Sequence, residues 1–405
     1  MSFELFVNPA VDRARSYSDA HRAILNETDA AAAFAEIRTW PGYAPTALVS
    51  LPGFAQACGV GEVLYKDEGT RFGLGSFKAL GGAYAVLHQL ADHVERATGT
   101  RPDAAALTRG DHRALTAGVT VCCATDGNHG RSVAWGAHTF GCACLIYLHA
   151  TVSAGREQAI AQQGARIERT TGNYDESVHQ ASADAAANDW IVISDTSWEG
   201  YTQIPGDVMH GYTVMAEEMM AAIKGGDGAA KPITHVFVPG GVGGVAAAIL
   251  APLWWSLGTH RPTLVVVEPE RAACLFASAR AGKLTTLSGD IETVMAGLCC
   301  GEPSASAWTL LGPGADAFMT IPDDAALAMM CVLADAIEPD PALVCGESSA
   351  ASPAALAAIM ADASAASALD LDGQSRVLLL GTEGDTDPEL YKEIVGRSAD
   401  AVRAA

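Results

Sequence analysis

Short, mostly apolar runs alternate along the chain with longer Ala-rich stretches of helical period; the runs lie at 119–123, 145–148, 166–169, 191–194, 235–238, 264–268 and 376–380. Runs of four or five such residues bounded by polar turns read as strands, and the Ala-rich stretches between them read as helices. Strand, helix, strand at this spacing predicts parallel sheets covered by helices on both faces, an α/β fold. Two glycine-rich turns directly follow strands, at 125–130 and at 240–244. Ligands bind outside the carboxyl ends of such strands, so both turns are expected in a site.

One lysine stands apart from the other five. Lys78 follows the glycine-rich turn of 66–77 and opens an Ala/Leu/Val-rich helical stretch, so a flexible backbone delivers its amine to a bound ligand. Lys66, Lys224, Lys231, Lys283 and Lys392 sit at strand ends, in polar loops or near the terminus. A positioned amine of this kind suits carbonyl chemistry, and a snorkelling surface lysine is the plainer alternative.

Charge and composition narrow the partners. A chain of 405 residues with 49% hydrophobic content can fill the cores of two domains. Its formal charge of −22 excludes nucleic acid and anionic membrane surfaces, which need clustered Lys and Arg, and leaves small molecules. That field also opposes an anionic ligand, so a phosphate would need a local nest of backbone N–H groups. Gly240, Gly241, Val242, Gly243 and Gly244 can supply one at a helix start, although glycines also serve tight turns alone. The G-x-G-x-x-G spacing of a dinucleotide site is absent.

Glu4 and the lack of a basic region before an apolar run argue against a signal peptide, so a cytoplasmic enzyme is expected. The uncharged stretch 236–258 is diluted by Gly and Pro and reads as strand, turn and helix, not as a membrane span. Ten cysteines without a C-x-x-C pair indicate no zinc ribbon and no metal; most are expected as reduced thiols. A disulfide between Cys274 and Cys300, with Cys299 beside it, is left open. Residues 101–111 read as a polar surface loop, and the Ala/Ser/Asp segment 361–373 as helix or loop.

Three elements in order, Ser76-Phe77-Lys78, Thr125-Asp126-Gly127-Asn128-His129-Gly130 and Gly240 to Gly244, resemble the fold-type II pyridoxal phosphate (PLP) enzymes, the tryptophan synthase beta and threonine dehydratase group. The resemblance implies two parallel-sheet α/β domains with the cofactor between them: 1–85 and 215–405 as the large PLP-binding domain, 86–214 as a small inserted one. It implies that Lys78 binds PLP as a Schiff base beside Phe77, that the Gly240 to Gly244 loop holds the phosphate, and that Asn128 meets the 3′-oxygen. The alternative for Asn128 is an Asx turn capping the next helix. His129 reads as packing. Thr382 would meet the pyridine nitrogen, a neutral partner that suits elimination, and Glu347 would line the cofactor or cap a helix.

Asp126, the stretch Asp195-Thr196-Ser197-Trp198-Glu199-Gly200-Tyr201 and the ending Gly384-Asp385-Thr386-Asp387-Pro388 are similar to the diaminopropionate ammonia-lyase family, a likeness that runs from about 65 to 391. It implies a homodimer that converts D- and L-2,3-diaminopropionate to pyruvate and ammonia, with Lys78 and Asp126 as bases for the L and D forms and Asp195 holding the β-ammonium. Turn or capping aspartates are the plainer alternatives for Asp126 and Asp195. A serine or threonine dehydratase and a non-catalytic PLP-binding scaffold are the competing functions.

Overall fold

The computed structural model describes residues 2–125, 127–172, 174–224 and 232–405. In these the strands are β1 (Glu4–Val7), β2 (Leu48–Ser50), β3 (Glu62–Asp67), β4 (Thr120–Ala124), β5 (Ala143–Leu148), β6 (Arg166–Arg169), β7 (Ile191–Val192), β8 (His235–Pro239), β9 (Thr263–Pro269), β10 (Ala317–Ile321) and β11 (Arg376–Gly381). Five helices carry the argument: α1 (Lys78–Thr98), α2 (Asn128–Phe140), α3 (Gln203–Lys224), α4 (Gly244–Leu257) and α5 (Cys274–Ala281). The chain divides into two compact units, one of 1–27, 45–76 and 215–405, the other of 28–44 and 77–214.

The larger unit is built on a seven-stranded sheet of order β1-β10-β9-β8-β11-β3-β2. Its inner strands are parallel, and β8 and β10 are buried at every residue, as expected of strands covered on both faces. The edge strands β1 and β2 run antiparallel to their neighbours. Val63, Phe237, Val265, Met319 and Leu379 belong to one continuous core. Glycine fits the end of β11 alone, because a Cβ at Gly381 would lie 2.1 Å from the Tyr65 ring.

The smaller unit holds a wholly parallel sheet of order β6-β5-β4-β7. Helix α1 packs on α2 through small residues: a Cβ at Gly82 would meet Ser132 Oγ at 2.4 Å, and one at Gly136 would meet Ala83 at 2.7 Å. Its neighbour Gly81 lies under Tyr212 of α3, and Gly211 of α3 lies against the Leu80 carbonyl. Helix–helix approach this close explains the Gly81-Gly82 pair that follows Lys78.

The expected domain boundary at 85/86 falls inside α1, which runs unbroken from Lys78, so the smaller unit begins at Phe77. Residues 28–44 also join it, where Trp40 packs against the rings of Tyr84, Trp135 and Phe140 at centroid distances of 6.4, 5.9 and 5.3 Å. The polar loop expected at 101–111 contains the helix Ala104–Arg109, capped by Asp103 accepting from Ala106 N at 2.8 Å and closed by left-handed Gly110. Within 361–373 the helix Ala363–Ala368 forms behind its cap Asp362. Stretch 236–258 is strand, turn and helix, and no described helix is long and apolar enough to cross a membrane.

Candidate active site

In the smaller unit Lys78 is the first residue of α1, and Ser132 of α2 donates to its carbonyl at 2.6 Å. The ammonium donates to Oδ2 of Asp195, which follows β7. Two aromatic faces flank the same nitrogen, Phe77 at 5.4 Å and Tyr212 at 5.8 Å from the ring centroids, a cation–π cradle that directs the amine. Phe77 and Tyr212 meet edge-on at 4.7 Å.

Asp195 is held by the backbone before it. Tyr201 Oη donates to Val192 O at 2.7 Å and accepts from Ser194 N at 3.1 Å, while Ile193 N donates to Cys122 O of β4 at 2.8 Å. Burial alone would raise the Asp195 carboxyl, but the Lys78 ammonium beside it outweighs burial and holds the group well below the usual carboxylate range.

The turn before α2 is capped by Thr125, whose Oγ1 accepts from Gly127 N and Gly130 N, each at 3.1 Å. Asn128 is thus not needed as the cap, the alternative weighed for it above. His129 is buried, and its Nε2 lies 2.8 Å from Ile193 O, which ties α2 to the strand end that carries Asp195. Asp126 lies outside the described residues.

The larger unit carries the glycine loop. Gly241 and Gly243 have φ of +58° and +98°, and α4 starts from Gly243 without a side-chain cap. A Cβ at Gly240 would lie 2.7 Å from Glu268 Cγ, so the loop can lie against β9 only without a side chain there. Glu268 in turn accepts from Leu275 N at 2.9 Å and Phe276 N at 2.7 Å in α5, and burial pushes its carboxyl up to about 8.

After β11, Thr382 Oγ1 is 3.2 Å from Ser349 Oγ, and that hydroxyl donates to Glu383 O at 2.7 Å. Glu383 Oε1 accepts from Ser348 N at 3.1 Å, and Gly384 N donates to Gly75 O at 2.9 Å, which binds the strand end to the turn before Ser76. Glu347 is buried in the same loop, ahead of the helix Ala351–Met360. Cys274 Sγ is 3.6 Å from Gly241 O, and a Cβ at Gly241 would lie 3.8 Å from Cys300 Sγ, so both sulfurs lie beside the glycine loop.

Taken separately, the two units carry groups suited to different parts of a phosphorylated pyridine aldehyde. The smaller one presents a cradled primary amine, and the larger one a side-chain-free set of loop and helix-start amides, suited to a phosphate, together with a buried neutral hydroxyl at Thr382. Among the described residues no group of His, Cys, Asp and Glu could hold a metal ion. Tyr212, Ser349 and Glu268 were not singled out from the sequence; a lone tyrosine in an apolar helix or a serine beside Glu347 gives no local signal.

The matching family model is that of the pyridoxal-phosphate dependent enzymes, over residues 39–383, which defines the class. Diaminopropionate ammonia-lyase of Escherichia coli (strain K12) is 36% identical over 368 residues, 89% of this chain and 89% of the relative. The chain belongs to the diaminopropionate ammonia-lyase family. The crystal structure of the selenomethionine-containing holo lyase from Escherichia coli matches with a TM-score of 0.88 at 32% identity, covering 98% of this chain and 97% of that one. The Escherichia coli lyase in complex with D-serine also matches at 0.88 and 32%, covering 99% and 98%.

Proposed function

We propose that this enzyme degrades 2,3-diaminopropionate, in both D and L forms, to pyruvate and two molecules of ammonia. The observation that carries the reading is the Lys78 ammonium set against the Asp195 carboxylate between two aromatic faces. PLP, when bound, supplies a conjugated electron sink for the charge left at the substrate α-carbon. Lys78 Nζ would be the amine that holds its aldehyde carbon, and the same amine would take the α-proton of the L form. Asp126 is assigned the α-proton of the D form, on the opposite face.

Asp195, freed of Lys78, holds the substrate β-ammonium by a charge-assisted hydrogen bond. The amides of Gly240, Gly241, Val242, Gly243 and Gly244 would hold the phosphate; Asn128 would donate to the ring oxygen, Thr382 would serve the ring nitrogen as a neutral hydroxyl, and Phe77 and Glu347 would line the ring. The enamine released after the β-amine departs hydrolyses to pyruvate and the second ammonia.

A serine or threonine hydroxyl could not reciprocate the partly buried charge of Asp195. By analogy with breaking a buried ion pair, that costs about 3–5 kcal/mol, roughly a hundredfold or more in kcat/KM. The test is pyruvate release from each diaminopropionate enantiomer, serine and threonine under matched conditions. Faster turnover of serine or threonine would replace this reading with a dehydratase. The same reading makes the protein a cytoplasmic homodimer, which light scattering and cell fractionation test.

A further inference from the structure

The imidazole of His129 has a defined direction that packing does not require. Its Nε2 faces the Ile193 carbonyl at 2.8 Å, and only an N–H can satisfy that oxygen, so Nε2 carries the proton and Nδ1 of the neutral ring is a bare lone pair. This Nδ1 is buried, makes no hydrogen bond, and lies 3.9 Å from Oδ2 of Asp195. The same Oδ2 receives the Lys78 ammonium. Burial keeps the ring neutral by lowering its pKa. Two acceptors therefore lie side by side, Oδ2 holding the Lys78 ammonium and Nδ1 without a donor. Such a pair is complete only when a donor with several hydrogens enters it.

We propose that Nδ1 of His129 and Oδ2 of Asp195 form an ammonium-selective subsite for the β-amino group of the substrate, which makes His129 a specificity-determining residue. This rests on the functional reading above and adds a second acceptor to it. A primary ammonium offers three N–H donors, enough for both acceptors with one to spare. A β-hydroxyl has one, so serine would leave a buried acceptor unmet, the arrangement by which sites reject isosteres most strongly.

The chemistry balances without a change at His129. The Cα–H electrons form the Cα=Cβ bond while the proton goes to the base, and the Cβ–N bond breaks with its pair going to nitrogen. The group held as ammonium therefore leaves as neutral ammonia.

The test compares two variants of the holoenzyme with serine as substrate or competitive inhibitor. His129→Gln keeps an N–H for Ile193 O and removes the acceptor at Nδ1; His129→Asn places an amide at the Nδ1 position and gives up the Ile193 contact. The diaminopropionate-to-serine ratio of kcat/KM should fall at least tenfold in the first and less than threefold in the second. An unchanged ratio in His129→Gln, with both substrates falling together, would reduce His129 to packing. Nitrogen-15 NMR of the wild-type imidazoles gives a readout independent of turnover: His129 should show Nε2 protonated and Nδ1 bare, and a protonated Nδ1 overturns the proposal. If the wild type itself prefers serine, the functional reading fails and the subsite with it; if the wild type prefers diaminopropionate and His129→Gln keeps that preference, the subsite alone fails.

Discussion

The ammonium of Lys78 donates to Oδ2 of Asp195, a residue 117 positions further along the chain but in the same compact unit. The pair keeps the amine and the carboxylate charged in mutual contact until a ligand separates them. Because the Asp195 carboxyl is held below its unfolded value, the stability it contributes is present above an unfolded Asp pKa of about 3.9 and is lost as pH falls through the still lower folded value. Between neutrality and pH 5 the pair should not titrate. Asp195→Asn should lower kcat/KM for diaminopropionate by about a hundredfold. Pyruvate release from the variant at wild-type rates would remove Asp195 from the site.

Gly243→Ala should weaken PLP binding and destabilise the fold by about 1–3 kcal/mol, from overpacking and from a positive φ. The φ is +98°, and the added carbon would lie 3.0 Å from Leu311 Cδ1 and 3.1 Å from Ala307 Cβ. Cofactor titration by absorbance and a thermal melt of the apoprotein separate the two effects. Wild-type affinity in the variant would free the loop from the phosphate role.

Four charged side chains are buried together in the larger unit: Lys66 Nζ is 2.5 Å from Glu218 Oε2, and Arg71 bridges Glu68 and Glu218 at 2.8 Å each. Removing one member leaves an uncompensated charge, so Glu218→Gln should cost about 3–5 kcal/mol. Denaturant unfolding measures this. A loss below about 1 kcal/mol would mean that water or a rearranged partner replaces the carboxylate.

Glu268 gives a pH dependence of opposite sign to that of Asp195. Its folded pKa is raised to about 8 by burial, so its contribution is fully present below the unfolded value and is lost as pH rises through about 8. The melting temperature should fall between pH 5 and 8 by an amount that Glu268→Gln removes. Parallel profiles for wild type and variant would assign the dependence to other groups.

Much of the architecture could be read from periodicity, and the failures have local causes. Strand β6 occupies the expected 166–169. Strand β3 escaped because Lys66 and Asp67 interrupt its apolar run; Lys66 is buried there only because Glu218, far away in sequence, neutralises it. Strands β1, β2 and β10 also went unread, two of them short edge strands whose pairing comes from a distant partner. The helix at 104–109 had its cap and its terminal glycine in plain sight, but polar composition hid them. Lys78 stood out because the glycine-rich turn before it and the helix after it are local signals, whereas Asp195 entered only through a family resemblance. The proton position on His129 could not be read, since it is set by Ile193 O, 64 residues away.

Strand β11 lies between β8 and β3, so it is the only connection between the β2–β3 pair and the β1-β10-β9-β8 group. Among the described residues it is also the last strand along the chain. On a ribosome the smaller unit has all its residues once Val214 has emerged, whereas the sheet of the larger one stays in two pieces, with β3 and β8 each presenting an open edge, until Gly381 is made. A chain cut short before Arg376 would therefore lose the keystone of its larger sheet and offer two unpaired parallel edges to its neighbours. Premature termination should yield aggregates, not a shortened enzyme.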